Sequence, residues 1–121
     1  MPEIKQPQDH KQKTVKPVVE TVEVTLGSGD TERKVSAKRT VLRGITVTVL
    51  DEALDDFELL DDLRAVDVDK NASRLPALLR RLVGDGYQEI MEGLRDEDTG
   101  RVPIQSATGF IRDLMEALNP N

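Results

Sequence analysis

The chain contains no cysteine and no tryptophan, and only 2% of its 121 residues are aromatic. Without cysteine, disulfide bonds, thiolate nucleophiles and cysteine-ligated metal sites are excluded. The aromatic residues are Phe57, Tyr87 and Phe110, and all of them follow residue 50. We therefore expect an aliphatic core centred in the C-terminal part of the chain.

Long apolar runs are also missing from the sequence. No run approaches the ~20 residues that a helix needs to cross a bilayer, and residues 1–20 lack the apolar stretch of a secretory signal. These absences favour a protein that is neither exported nor inserted in a membrane. The length is sufficient for one domain with one core.

Positive charge is scarce in the second half of the chain. Residues 1–50 carry nine Lys/Arg against six Asp/Glu, whereas residues 51–121 carry eight against seventeen. An acidic surface repels phosphate backbones, so nucleic acid is not an expected partner of this half. Residues 1–17 are polar and basic and are predicted to be a flexible arm. His10, the single histidine, lies in that arm without a fixed partner and is given no catalytic role.

Two stretches between residues 18 and 50 have the alternating pattern of half-buried strands. Residues 18–26 (VVETVEVTL) form the first, and Gly27 to Asp30 supply a turn. Residues 31–40 are predicted to be a polar connection, and residues 41–50 (VLRGITVTVL) a second strand in which Gly44 marks a bulge. Whether the two strands pair within the chain stays open at this point.

Residues 51–69 (DEALDDFELLDDLRAVDVD) are predicted to be one helix around which the rest is organised. Asp55 and Glu58 have the spacing of a capping box. Phe57, Leu60 and Leu63 recur at helical spacing and are expected to face the core, leaving Asp55, Glu58 and Asp62 to solvent. We prefer a solvated acidic face to catalytic carboxylates, because the sequence supplies no positioned base.

The following segment predicts two more helices. Leu75, Leu78, Leu79, Leu82 and Val83 form one apolar stripe, with Ser73 as cap, Pro76 in the first turn and Gly84 at the end. Arg74, Arg80 and Arg81 are assigned to the outer face. After Asp85 as the next cap, a second stripe is formed by Tyr87, Ile90, Met91 and Leu94.

The last predicted helix has the most regular stripe in the chain, and Asn119-Pro120 is expected to end it. Its apolar positions are Ile104, Ala107, Phe110, Ile111, Leu114, Met115 and Leu118. Such a stripe is more often core than a seam for a partner helix. If the helix is partly exposed, Leu114, Met115 and Leu118 are the candidate partner contacts.

No motif for chemistry is present. The sequence has no glycine-rich phosphate loop, no nucleophile elbow and no metal-spaced His cluster, and acidic loops starting at Asp67 or Asp96 fail the calcium-loop pattern. We therefore expect a non-enzymatic protein without catalytic residues, cofactor or metal. The predicted fold is α+β and mostly helical: an N-terminal β-hairpin or short strands (residues 18–50), then a domain of about four amphipathic helices (residues 51–121).

The order of features from about Ile45 to Asn121 resembles that of the small tail assembly chaperones of long-tailed (siphovirus-like) bacteriophages and prophages. The features are the strand ITVTV, the block DDFELLDDL, a polar link, LPALLRRLVGD, the tyrosine helix YQEIMEGL, an acidic loop and the closing helix FIRDLMEAL. The match covers roughly two-thirds of the chain, and the N-terminal 44 residues depart from the family pattern.

The resemblance implies a role in building a phage tail. Proteins of this family bind the tape measure protein before the tail tube polymerises around it, act in the bacterial cytoplasm and are absent from the mature virion. It also implies a possible contact with the tail tube protein. Two alternatives stay open: a structural or adaptor protein of the virion tail or head that self-associates through its basic arm and N-terminal strands, and a small acidic regulator or antitoxin.

Overall fold

The computed structural model describes residues 17–118. The predicted basic arm up to residue 16, with His10, lies outside the described residues, as does the predicted helix stop at Asn119 and Pro120. The described part begins with three strands, β1 (Val19–Leu26), β2 (Arg33–Leu42) and β3 (Ile45–Leu50). Five helices follow: α1 (Asp51–Leu54), α2 (Phe57–Asp67), α3 (Leu75–Val83), α4 (Tyr87–Leu94) and α5 (Ile104–Leu118). The predicted α+β class, with strands before helices, is confirmed.

The three strands form one antiparallel sheet in the order β1-β2-β3. The prediction that residues 31–40 are a polar connection is wrong, because most of them belong to the central strand β2. β2 pairs with β1 from Val19↔Thr40 to Leu26↔Arg33 and with β3 from Ala37↔Leu50 to Leu42↔Ile45. The predicted turn after β1 is confirmed, with Gly27 and Gly29 at positive φ.

Gly44 belongs to a tight turn, and the predicted strand over residues 41–50 is therefore divided. The register places Leu42 opposite Ile45, so Arg43 and Gly44 alone connect β2 to β3. Their φ values of 52° and 79° have the sign that a type I′ turn needs at both central positions. Such a turn matches the twist of the strands that flank it, which explains why the chain reverses here instead of forming a bulge.

One core joins the sheet to the helices. Its largest fully buried side chains are Phe110, Leu78, Leu79, Leu82, Ile90, Leu114 and Val49. The strand residues Leu42, Ile45 and Val47 pack in the same cluster. α3 supplies the centre of this core, since five of its nine residues are buried. The helices therefore fold against the sheet and around α3.

The predicted single helix over residues 51–69 is divided at Asp55 and Asp56. The cap of α2 is Asp56, not Asp55: its Oδ1 accepts hydrogen bonds from the backbone N–H of Glu58 at 2.8 Å and of Leu59 at 3.3 Å. Because this cap starts a new helix, α1 remains a single turn that follows β3.

The orientation predicted for α2 is wrong for Phe57, Leu60 and Asp62, whereas Leu63 packs against the core and Asp55 and Glu58 are exposed, as predicted. Its buried residues are Leu59, Asp62 and Ala65. Phe57 is 84% exposed and Leu60 59% exposed, whereas the side chain of Asp62 is only 4% exposed. α2 thus turns a carboxylate towards the protein and large apolar side chains towards solvent.

The predicted helix ends after α2 are confirmed in part. Pro76 lies in the first turn of α3, and Gly84, at φ 54°, ends it. Ser73 and Asp85 are not caps, since Asn71 accepts a hydrogen bond from the Ser73 N–H and α4 begins without a side-chain cap. The predicted stripe of α4 packs against the core through Tyr87, Ile90, Met91 and Leu94.

Candidate functional site

An ion-pair cluster connects α2 to the α3 segment. The Asp62 carboxylate lies between two arginines: Arg74 Nε donates to Oδ1 at 2.8 Å, and Arg81 Nε donates to Oδ2 at 2.9 Å. The arginines are seven residues apart, so they lie two turns apart on one side of the α3 segment. Arg74 also pairs with Asp61 at 2.9 Å and Arg81 with Glu58 at 3.2 Å. Arg81 is exposed and Arg74 half-buried, so both lie at the surface of the α3 segment as predicted, but they face α2 and not open solvent.

The electrostatics of Asp62 are those of a structural ion pair. Burial alone would raise the pKa of its carboxyl group, because desolvation disfavours the charged form. The hydrogen bonds and charges of Arg74 and Arg81 outweigh burial, so this pKa lies below its usual value. With both oxygens engaged and the side chain enclosed, Asp62 has no position from which to exchange a proton with a substrate.

An open groove runs between α2 and α5 with α3 as its floor. It has a volume of about 650 Å³, and apolar side chains from all three segments line it: Leu60, Leu63, Val66, Val68, Leu75, Leu78, Ile111 and Met115. A smaller depression of about 290 Å³ continues it towards Leu54 and Phe57 and shares Leu60, Leu63 and Met115 with it. Met115 of α5 borders both parts, whereas Thr108, Ile111 and Arg112 border the larger part only.

The lining of the groove is mainly apolar but includes four charged residues, Arg64, Asp67, Lys70 and Arg112. Thr108 carries the one side-chain hydroxyl among the residues that line the larger part, and this hydroxyl donates to the carbonyl of Ile104 at 2.8 Å. Ligand pockets normally combine an apolar lining with several convergent polar groups. An open, mainly apolar trough between two helices is also a surface that an amphipathic helix can occupy.

Charged side chains stand along the rim of the groove. Arg64, Lys70, Arg112 and Asp67 border the larger part, and Asp55 and Asp56 border the end next to Phe57. Arg64 pairs loosely with Asp69, at 3.8 Å. Within residues 17–118, Lys70 and Arg112 form no salt bridge. Three cations and one carboxylate thus line the larger part, and two carboxylates line the smaller part.

The three predicted contact residues of α5 lie in different environments. Leu114 is 0% exposed and belongs to the core. Met115 is half-buried and lines both parts of the groove. Leu118 is half-buried and packs against the core cluster. Of the three, Met115 is the one that borders the groove.

The most exposed apolar residues of the groove are Phe57, Leu60 and Val68. The sequence pattern predicts that Phe57 and Leu60 face the core, and it gives Val68 no role. Val68 is 60% exposed. The signal that could have identified this face is the pair Arg74 and Arg81, whose spacing places two cations opposite the acidic side of α2. If α2 turns its acidic side towards these two arginines, its opposite side faces outwards.

Within the described part of the chain, no group of three or more His, Cys, Asp or Glu side chains is arranged to hold a metal ion. Among the same residues, no helix has both the length and the apolar character that crossing a bilayer requires. A scan against models of protein families, a search of curated proteins and a search of solved structures found no match to this chain.

Proposed function

We propose that this protein is a non-enzymatic tail assembly chaperone of a long-tailed bacteriophage or prophage. It binds helical segments of the tape measure protein in the groove between α2 and α5 and keeps them dispersed until the tail tube forms. It acts in the host cytoplasm and leaves before the virion is complete. The order of sequence features supports the family, and the groove supports a binding role.

The observation that carries the binding role is the outward apolar side of α2. Monomeric proteins rarely expose contiguous large apolar patches unless these contact a partner or a membrane. Here Phe57, Leu60 and Val68 are all more than half exposed and border one groove. The adjacent buried face of α2 is held by ion pairs, so this exposure belongs to the folded state and is not a frayed end.

The size of this patch predicts weak individual contacts. Full burial of a Phe or Leu side chain is worth about 1.5–3 kcal/mol. Since Phe57 is 84% and Leu60 59% exposed, a partner helix that covers both would gain about 2–4 kcal/mol from them. That gain corresponds to a factor of roughly 30–1,000 in affinity before the costs of association. A long helical partner would then hold several copies, and avidity would strengthen the complex.

Coexpression tests the proposal. Fragments of the tape measure protein from the same genome are produced with and without this protein, and the soluble fraction and the copurifying complex are measured. We expect the protein to raise the solubility of at least one helical fragment and to copurify with it. Fragments that stay insoluble, together with empty pull-downs across the whole partner, would contradict the proposal.

A matched pair of variants locates the contact. The double variant Phe57→Ala/Leu60→Ala removes the exposed side chains of the groove and should abolish copurification. Val41→Ala is the control, since Val41 is 55% exposed but lies on β2. If both variants retain the fragment equally, the groove is not the binding surface.

A second candidate function is a structural or adaptor protein of the virion, and one observation favours it. β1 is an edge strand that pairs with β2 alone, so its outer edge is free within the described residues. A free edge can pair with a strand of another subunit. Mass spectrometry of purified virions separates the candidates, because an adaptor stays in the particle and a chaperone does not.

A further inference from the structure

We infer that the groove selects an amphipathic helix of about three turns whose apolar stripe is flanked by acidic residues at one end. The inference rests on the proposed binding role of the groove, and it adds the length, the charge and the direction of the occupant. The occupant is a helix of another polypeptide. Three properties of the groove carry this inference: its length, its lining and the distribution of charge on its rim.

The length follows from α2, which forms one wall. α2 has eleven residues, and at 1.5 Å per residue it is about 16 Å long. An occupant that lies along this wall contacts it over about three helical turns. The lining is apolar along that length, so the occupant must present apolar residues at helical spacing.

The charge follows from the rim of the larger part. Three cations, Arg64, Lys70 and Arg112, border it, against one carboxylate, Asp67. Asp69 offsets Arg64 in part, through the loose ion pair at 3.8 Å, and Glu116 lies one turn beyond Arg112 on α5. This local excess of positive charge is unusual in a half-chain with eight Lys/Arg and seventeen Asp/Glu. At physiological ionic strength charges act over about 8 Å, so the rim and not the net charge decides what binds.

The direction follows from the two ends of the groove. Arg64, Lys70 and Arg112, with Asp67, line the larger end, whereas Asp55 and Asp56 line the smaller end next to Phe57. An occupant therefore places its acidic residues at the first end and neutral or basic residues at the second. The N-terminal arm of this chain does not fit that description, since residues 1–16 carry four lysines and two acidic residues.

Peptide binding to the full chain tests the inference. Three labelled peptides of about 14 residues share one apolar stripe. The first carries glutamates beside the stripe at its N-terminal end, the second carries the same glutamates at its C-terminal end, and the third carries lysines in their place. Fluorescence anisotropy measures their dissociation constants at low and at high salt. We expect one glutamate peptide to bind about tenfold more tightly than the lysine peptide at low salt, and this preference to shrink at high salt.

Charge reversal on the rim supplies the matched control. Lys70→Glu/Arg112→Glu should remove or invert the preference for glutamate peptides. Arg101→Glu changes the net charge at a residue that lies in the loop before α5 and lines no part of the groove, so it should leave the preference unchanged. Circular dichroism confirms that each variant is folded.

The outcomes separate the inference from the proposed function. Equal binding of all peptides to wild type and to the charge variants would overturn the charge selection, while the groove would remain a binding site. Absence of peptide binding, with an unchanged tape measure complex in Phe57→Ala/Leu60→Ala, would overturn both. A homodimer that Leu60→Ala dissociates would identify a second copy as the occupant and would also overturn the inference.

Discussion

Replacing Asp62 with asparagine should destabilise the protein much more than the same replacement at its neighbour Asp61. Both carboxylates pair with Arg74, but the side chain of Asp62 is 4% exposed and that of Asp61 68% exposed. Asp61→Asn therefore controls for the loss of one charge and one contact to the same arginine. The comparison isolates what burial adds to the ion pair.

The magnitude follows from what remains after the change. Removing one partner of a buried ion pair costs about 3–5 kcal/mol when the other charge stays buried. Here Arg74 and Arg81 are 36% and 35% exposed and keep contacts to Asp61 and Glu58, so they are partly solvated in the variant. We therefore expect Asp62→Asn to lower the free energy of unfolding by about 2 kcal/mol and Asp61→Asn to lower it by less than about 1 kcal/mol.

Urea unfolding followed by circular dichroism measures the two losses. If the m-value is unchanged, the shift of the midpoint reports the change in the free energy of unfolding. Equal shifts for Asp62→Asn and Asp61→Asn would refute the argument, because they would mean that the buried cluster does not hold α2.

The same variant has a defined effect on the pH dependence of stability. The pKa of Asp62 is lowered in the folded state, so its contribution is present above the unfolded pKa of about 4 and is lost as pH falls through the folded value. Glu52 and Glu92, whose pKa values are also lowered by their hydrogen-bonded arginines, act in the same direction. Asp62→Asn should therefore weaken the loss of stability below pH 4 without removing it.

Three further predictions concern the fold. Leu59→Ala should lower the free energy of unfolding by about 3 kcal/mol, because Leu59 is 2% exposed and its truncation leaves a cavity. Thermal or urea unfolding measures this change. Leu60→Ala, the adjacent change on the exposed side, should stay within about 0.5 kcal/mol in the same assay, and a loss as large as that of Leu59→Ala would mean that α2 is turned the other way. Gly44→Ala should cost about 1 kcal/mol because Gly44 has φ 79°, and Gly44→Asn should cost less, since asparagine tolerates this conformation.

The sequence was sufficient for the helices whose apolar residues lie on one side only. α3 and α5 have single stripes, and the buried residues Leu78, Leu79, Phe110 and Ile111 lie on them. Ile104, at the first position of α5, is the exception: it is 68% exposed. The end of a stripe can extend beyond the surface that covers it.

The central strand was missed for a different physical reason. β2 has the sequence RKVSAKRTVL. Its cations occupy adjacent positions, 33 and 34 and again 38 and 39, so they lie on both faces of the strand and hide the alternation of apolar and polar residues. Several are held by partners distant in the chain: Lys38 Nζ donates to Asp51 Oδ1 at 2.9 Å, and Arg33 pairs with Glu52 at 3.0 Å. These partners lie on α1, so the pattern that stabilises β2 exists only once the sheet and α1 have met.

The orientation of α2 links stability to the proposed function. Turning Phe57 and Leu60 inwards would bury these two side chains, but it would expose Leu59 and Ala65 and separate Asp62 from Arg74 and Arg81. We infer that the ion-pair cluster acts together with the packing of Leu59 and Ala65 to hold α2 in the orientation that leaves its apolar side free. If so, Asp62→Asn should weaken binding of a partner helix even under conditions where the variant is fully folded, because α2 can then turn its apolar side towards the core. Unchanged affinity in folded Asp62→Asn would show that packing of Leu59 and Ala65 suffices to orient the helix.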